Sequence, residues 1–194
     1  MRRVVLLALL ALALPLAAWA DSIDVTNRGG TVTGGSSGLS LSGSVLTSYG
    51  AAVGTNLGSV TFSTGAFISG NAAMGGTLAP GGTFVITGNG TNGVPNGVIF
   101  SGTFSSSSPI MWTLTTLANG THSYTLSGPI NDASGRVGAT TQITVNVGKG
   151  FFNGTAGLSS GDTNLAVPEP GTLGLLGTGL VGIAGLMRRK LRIG

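Results

Sequence analysis

The sequence contains no cysteine, a single histidine and few charged residues, which make up 7% of its 194 positions. The absence of cysteine excludes disulfide bonds, thiol catalysis and thiolate metal sites. The formal net charge of +4 arises at the two ends, because residues 21–165 contain only three cations against four aspartates. Nucleic-acid binding needs lysine and arginine clustered along one face. We therefore expect no nucleic-acid partner, no metal and no cofactor.

The N-terminus has the parts of a secretory signal peptide. Two arginines are followed by an apolar stretch over residues 4–14, and Ala18 and Ala20 supply the small side chains that signal peptidase requires. The apolar stretch is too short to be a permanent membrane anchor. We predict that residues 1–20 form a signal peptide, that signal peptidase cleaves before Asp21, and that the mature protein is exported.

The C-terminus contains an apolar stretch followed by a basic cluster. We predict a single short transmembrane helix over residues 172–187, whose apolar part from Leu173 to Met187 is about 22 Å long at 1.5 Å per residue. This is less than the roughly 30 Å hydrocarbon core, so the helix is a marginal anchor. The positive-inside rule keeps the basic residues in the cytoplasm. The predicted basic stop consists of Arg188, Arg189, Lys190 and Arg192.

A proline-flanked acid precedes this helix. Pro168 and Pro170 hold Glu169 in an extended peptide, because proline disfavours helix in the residue before it. Together with the apolar and basic segments, these residues resemble the PEP-CTERM sorting tail of Gram-negative bacteria. The resemblance implies that exosortase, a membrane transpeptidase, recognises Pro168, Glu169 and Pro170. It also implies that the enzyme removes the tail, residues 167–194.

Between the two ends, short stretches alternate β-branched or aromatic residues with polar ones, and Gly-Gly and Asn-Gly turns separate them. This pattern predicts an all-β, β-sandwich-like ectodomain over residues 21–150. The alternation stops afterwards, so we predict a flexible linker over residues 151–166. Val98, Phe100 and Phe104 are in phase on one predicted strand. The predicted buried face comprises Leu41, Val60, Phe62, Phe84, Ile86, Phe100, Phe104, Trp112, Leu114, Tyr124, Leu126, Ile143 and Val145.

Catalytic patterns in this ectodomain are weak. His122 and Asp132 could complete a triad with a serine. The Gly-x-Ser-x-Gly stretches around Ser36 and Ser159 do not lead from a strand into a helix, as a nucleophile elbow must. The carboxylates other than Asp132 lie at the termini or in the predicted linker, which predicts no catalytic carboxylate pair in the ectodomain. We predict that the protein is not an enzyme, with a secreted hydrolase as an alternative.

Three further patterns have a structural and a functional interpretation. The Asn-Gly-Thr sequences at Asn89, Asn119 and Asn153 match the glycosylation acceptor, but we interpret them as turns. Trp112 and Tyr124 could form a platform for sugars, although their phase favours the core. The threonines of residues 140–144 suggest an ice-binding surface, but they keep no regular repeat.

These observations favour an exported, exosortase-sorted protein of the bacterial envelope or exopolysaccharide matrix, with a structural or adhesive role. Before sorting, the protein would cross the inner membrane once and keep its C-terminus in the cytoplasm. Afterwards it would lie at the cell surface or in the extracellular matrix. Its expected partners are signal peptidase, exosortase and a polysaccharide. A carbohydrate-binding module is the main alternative, and an ice-binding protein is a weaker one.

Overall fold

Twelve β-strands and no helix make up residues 22–166, the part of the chain that a computed structural model of the protein describes. The all-β prediction is confirmed. The strands are β1 Ser22–Arg28, β2 Thr31–Gly35, β3 Gly38–Tyr49, β4 Ala52–Ser63, β5 Phe67–Asn71, β6 Gly75–Leu78, β7 Gly81–Asn89, β8 Asn96–Phe104, β9 Ile110–Thr116, β10 His122–Asp132, β11 Val137–Gly148 and β12 Thr155–Ala166.

Strand β11 shows how the sequence pattern produces the sheet. Ala139, Thr141, Ile143 and Val145 are buried, and the residues between them point to the opposite face. Successive side chains of a strand alternate between its two faces. One face of β11 therefore packs in the core, and the other is polar.

The strand pairings in residues 22–166 are all antiparallel, and they close into a ring. The order of hydrogen-bonded neighbours is β1, β12, β11, β10, β8, β7, β4, β3 and again β1. Strand β2 pairs with β12 and β3, whereas β9, β6 and β5 extend outward from β10. The first and last strands of the described domain thus lie side by side, with Ser22 opposite Ala166.

Strand β10 joins two groups of strands because it changes partner along its length. Residues 122–127 pair with β9, and residues 130–132 pair with β8. At the change, the carbonyl of Pro129 accepts a hydrogen bond of 2.9 Å from the backbone nitrogen of Ser105. Strand β12 changes partner in the same way, from β2 near its start to β1 near its end.

The core contains two groups of packed aromatic rings. The first group consists of Phe62, Phe84 and Phe104, whose ring centroids are 6.0 to 6.4 Å apart. In the second group, Trp112 stacks on Tyr124 with centroids 5.2 Å apart, and Phe152 packs edge-on against both rings. All six rings are buried, so burial of aromatic surface is a large part of what stabilises the fold.

The predicted linker over residues 151–166 is wrong for most of its length. Residues 155–166 form β12, which pairs with three other strands, and Phe152 belongs to the core. The inward positions of β12 include Gly161 and Thr163. Because these residues are not hydrophobic, the strand shows no regular alternation of hydrophobic and polar residues. The Thr163 hydroxyl is satisfied in the core because it shares a 2.9 Å hydrogen bond with the Thr141 hydroxyl.

The predicted buried face is confirmed except at Phe100 and Leu114, which are half-buried against the core. Val98, which we placed in phase with Phe100, is 66% exposed. Phe100 lies opposite Ile86, but Val98 lies opposite Thr87, so Ile99 is an extra residue in β8. Such a β-bulge shifts the alternation by one position.

Candidate functional site

Trp112 and Tyr124, which we considered as a sugar platform, are core residues. Both side chains are buried, and their rings are nearly parallel at 20°. Trp112 Nε1 donates a hydrogen bond of 2.8 Å to the carbonyl of Ala72, and the Tyr124 hydroxyl donates one of 2.5 Å to the carbonyl of Ala73. Because these rings are covered and their polar atoms are satisfied, they offer no surface to a ligand.

His122 and Asp132 lie at opposite ends of β10. Ten residue steps of about 3.3 Å place them roughly 30 Å apart, which excludes a shared triad. Ser36 lies in the turn between β2 and β3, and Ser159 lies within β12. Neither serine is followed by a helix, so the arrangement that the hydrolase alternative required is not assembled here.

Asp132 has a structural role in the turn that follows β10. Its Oδ1 atom accepts hydrogen bonds from the backbone nitrogen and the hydroxyl of Ser134, at 2.8 and 2.6 Å. The hydrogen bond from the Ser134 hydroxyl is the main cause that lowers the pKa of Asp132. Asn89 with Thr91 and Asn119 with Thr121 form the same pair of hydrogen bonds. These two acceptor sequences are therefore turns.

Two carboxylates form a pair that was not predicted from the sequence. Asp24 in β1 lies opposite Asn164 of β12, and Thr26 lies opposite Asp162, so the two aspartates are diagonal neighbours. Burial raises the pKa of Asp162, and a hydrogen bond with Asp24 and its like charge raise it further. Within residues 22–166 no third acidic, histidine or cysteine side chain joins them, and calcium sites need more ligands than two carboxylates provide.

A shallow open groove of about 400 Å³ lies where Asp162 meets the neighbouring strands. It forms next to Gly128 and Pro129, where β10 changes partner. Hydroxyls and amides form most of its polar lining, and Asp162 provides the charged group. The residues that line it are Ser108, Ser127, Gly128, Pro129, Thr140, Thr141, Gln142, Asp162 and Asn164.

A row of hydroxyls crosses four strands on the outward face. Register pairs Thr113 of β9 with Thr125 of β10, Thr125 with Thr144 of β11, and Thr144 with Ser160 of β12. Their neighbours along each strand include the buried residues of the core, so the hydroxyls point away from it. Adjacent strands are about 4.8 Å apart, and the row is therefore roughly 14 Å long.

An exposed pair of stacked rings lies at the start of β10. Phe151 is 50% exposed, and its ring lies 4.4 Å from the His122 ring at an interplanar angle of 17°. The Nδ1 atom of His122 lies 2.9 Å from the carbonyl oxygen of Gly150. A carbonyl only accepts hydrogen bonds, so Nδ1 carries a proton. We call these two rings the His122–Phe151 platform.

The platform was not predicted from the sequence because Phe151 fell in the predicted linker. Two consecutive phenylalanines are unusual in a flexible linker, which is normally rich in small and polar residues, and this was the available signal. Phe152 points into the core and Phe151 points outward. Alternation alone could not show that Phe151 meets a histidine from another strand.

The residues of the predicted sorting signals lie outside residues 22–166, so the structure gives no geometry for them. They are Ala18, Ala20, Pro168, Glu169, Pro170, Arg188, Arg189, Lys190 and Arg192. The predicted transmembrane helix over 172–187 also lies outside this range. In the described part of the chain, no helix is both long and apolar enough to cross a membrane.

Comparison with known proteins identifies one region of the chain. No curated protein and no solved structure matches the chain. Residues 166–190 match the family model described as the PEP-CTERM protein-sorting motif. The match covers the proline-flanked acid, the apolar stretch and part of the basic stop, and it confirms the resemblance seen in the sequence: this chain carries a PEP-CTERM sorting tail.

Proposed function

We propose that this protein is exported, sorted by exosortase, and displayed at the bacterial cell surface or in the exopolysaccharide matrix as structural or adhesive material. The match to the PEP-CTERM protein-sorting motif over residues 166–190 carries this proposal. The signal-peptide pattern over residues 1–20 supports it, since sorting at the membrane requires export first. In this proposal the chain crosses the inner membrane once, with a cytoplasmic C-terminus, until exosortase acts.

The position of the tail in the sequence supports a structural role. Strand β12 ends at Ala166, and the sorting match begins at the same residue. Towards its end, β12 is paired with β1 on one side and β11 on the other, and the sandwich-like packing of these strands is part of the proposal. The sorting tail therefore continues in sequence from a strand with partners on both sides.

The surface chemistry of the described domain supports contact with hydrated polymers. Residues 22–166 contain three aspartates and three cations, so the formal net charge of this part is zero. The outward hydroxyl row from Thr113 to Ser160 can donate and accept hydrogen bonds. Such a surface suits adhesion to polysaccharide better than recognition of a strongly charged partner.

The test of sorting replaces Pro168, Glu169 and Pro170 with alanine in a strain that contains exosortase. We expect this variant to be exported and inserted in the membrane but to stay uncleaved, because the recognised peptide is lost. Thr172→Ala serves as the matched control and should be processed normally. Cell fractionation and the size of the protein on a gel measure both. Surface display of the triple variant at the processed size would refute the sorting proposal.

A second variant tests the basic stop. Deletion of residues 188–192 removes the charges that hold the C-terminus in the cytoplasm. We expect the deleted protein to be retained poorly at the membrane before sorting, with unsorted protein in the periplasm or medium. Normal retention would show that the apolar stretch alone anchors the chain.

A further inference from the structure

The His122–Phe151 platform has the features of a prepared binding surface. A single exposed aromatic ring is common on proteins and means little by itself. Here the Phe151 ring is stacked in parallel on His122, and the His122 ring is held by the carbonyl of Gly150. The platform therefore has a defined orientation before any ligand arrives, which lowers the entropy cost of binding.

The next residue anchors the platform to the core. The backbone nitrogen of Phe152 donates a hydrogen bond of 3.1 Å to the Tyr124 hydroxyl, and the Phe152 ring packs edge-on against Trp112. Phe152 is only 2% exposed. Because Phe151 precedes this buried anchor, its backbone is fixed while its side chain lies at the surface.

We propose that the His122–Phe151 platform binds neutral pyranose units of a polysaccharide. The face of an aromatic ring is electron-rich and attracts the C–H groups on one face of a pyranose ring. In the tautomer that carries its proton on Nδ1, where the Gly150 carbonyl accepts, the Nε2 atom of His122 can accept a hydrogen bond from a sugar hydroxyl. Phe151 thus provides the stacking surface, and His122 provides the polar contact.

The positive charge near the platform is too small to select a strongly anionic sugar. Lys149 is the one charged residue in the loop between β11 and β12, at residues 149–154. One exposed lysine contributes little in salt. The proposal depends on the proposed function only in that export brings the platform to polysaccharide, since binding itself is a property of the described domain.

The single histidine allows a direct measurement. His122 is the only histidine in the sequence, so a full-length protein purified without a histidine tag, in a detergent that has no sugar headgroup, gives one set of imidazole signals in NMR. We expect cellohexaose and N-acetylchitohexaose at millimolar concentration to shift these signals in a saturable manner. Absence of any shift with both probes, or tighter binding of the polyanion alginate, would overturn the proposal.

Matched variants separate stacking from general effects. Phe151→Ala should weaken binding about three- to tenfold, as expected from loss of one aromatic contact, whereas Phe151→Trp should bind at least as tightly as the native protein. Ile68→Ala removes an apolar side chain of β5 that is 67% exposed and should leave affinity unchanged. The proposal would be overturned if Phe151→Ala bound the probes as tightly as the native protein, or if Ile68→Ala lost as much affinity as Phe151→Ala. Cell fractionation tests sorting separately, so either proposal can fail without the other.

Discussion

Replacing Phe152 with alanine tests whether the segment before β12 is part of the folded core. Phe152 is 2% exposed and packs against Trp112 and Tyr124, with ring centroids 5.7 and 6.0 Å away. Removing a buried phenylalanine ring leaves a cavity and typically costs about 3–5 kcal/mol. Because domains are stable by only about 5–15 kcal/mol, Phe152→Ala should lose a large part of the free energy of unfolding.

The neighbouring residue provides the control for this prediction. Phe151 is half exposed and stacks only on His122 among the described aromatic rings. Phe151→Ala should therefore cost about 1 kcal/mol or less, the value of one aromatic pair. Urea unfolding followed by the fluorescence of Trp112 measures both variants. If the two variants lost the same stability, Phe152 would not be a core residue, and the interpretation of this segment as a linker would regain support.

Three further variants test the turns and close strand contacts. Burial and Asp24 raise the pKa of Asp162, so the folded state favours the protonated carboxyl. This group therefore contributes its full stability below about pH 4, and that stability is lost as the pH rises through the raised pKa. Asp162→Asn should therefore have a higher melting temperature than the native protein at pH 7, and the difference should shrink in acid; a constant difference would contradict this. The Ser134 hydrogen bond lowers the pKa of Asp132, so Asp132→Ala should have a lower melting temperature than the native protein at pH 7. This difference in melting temperature should close as the pH falls through the lowered pKa. A difference that grew in acid would contradict the prediction. Gly58 has φ of +148°, and an added Cβ atom would lie 1.9 Å from the carbonyl oxygen of Thr87. Gly58→Ala should therefore lower the free energy of unfolding by about 1–3 kcal/mol, whereas the control Gly157→Ala, whose Cβ would meet open space, should not. Equal melting temperatures of the two variants would argue against the β4–β7 contact.

The strand segments that were predicted well are those in which consecutive inward positions are apolar. In β10, Tyr124 and Leu126 alternate with polar residues, and both are buried. In β1, by contrast, an inward position is occupied by Asn27, whose side-chain nitrogen donates a hydrogen bond of 2.7 Å to the Ser44 hydroxyl. A buried asparagine looks like a turn or surface residue in a sequence, so the core role of β1 was not predictable from hydrophobicity.

The close contacts between strands explain why many inward positions of this chain are not hydrophobic. Gly161 faces Asn27 across the β1–β12 pair, and an added Cβ atom would lie 2.2 Å from Asn27 Oδ1. Only glycine fits such a position without a shift of its neighbours. A glycine required for close approach is identical in sequence to a glycine in a loop, so the linker prediction failed where packing, rather than alternation, determined the residue.

The candidate site was predictable only where function depends on linear sequence. The signal of the sorting tail lies in consecutive residues, so it was visible without a fold, and the family match over residues 166–190 confirms the resemblance. The platform depends instead on two residues from different strand connections. His122 begins β10, and Phe151 lies beyond β11, so nothing in the local pattern of either residue indicates that their rings stack.

Strand β12, which was not predicted from the sequence, is also the strand that precedes the sorting tail. Residues 158–165 of β12 include two core leucines, Leu158 and Leu165, and pair with β11 except at Ser159, where the register shifts. A flexible linker at this place would separate the domain from its tail, whereas the observed strand joins the tail directly to paired backbone. Since β1 pairs with the same part of β12, both ends of the domain are secured by one set of hydrogen bonds. Paired backbone therefore extends to Ala166, the residue at which the sorting match begins.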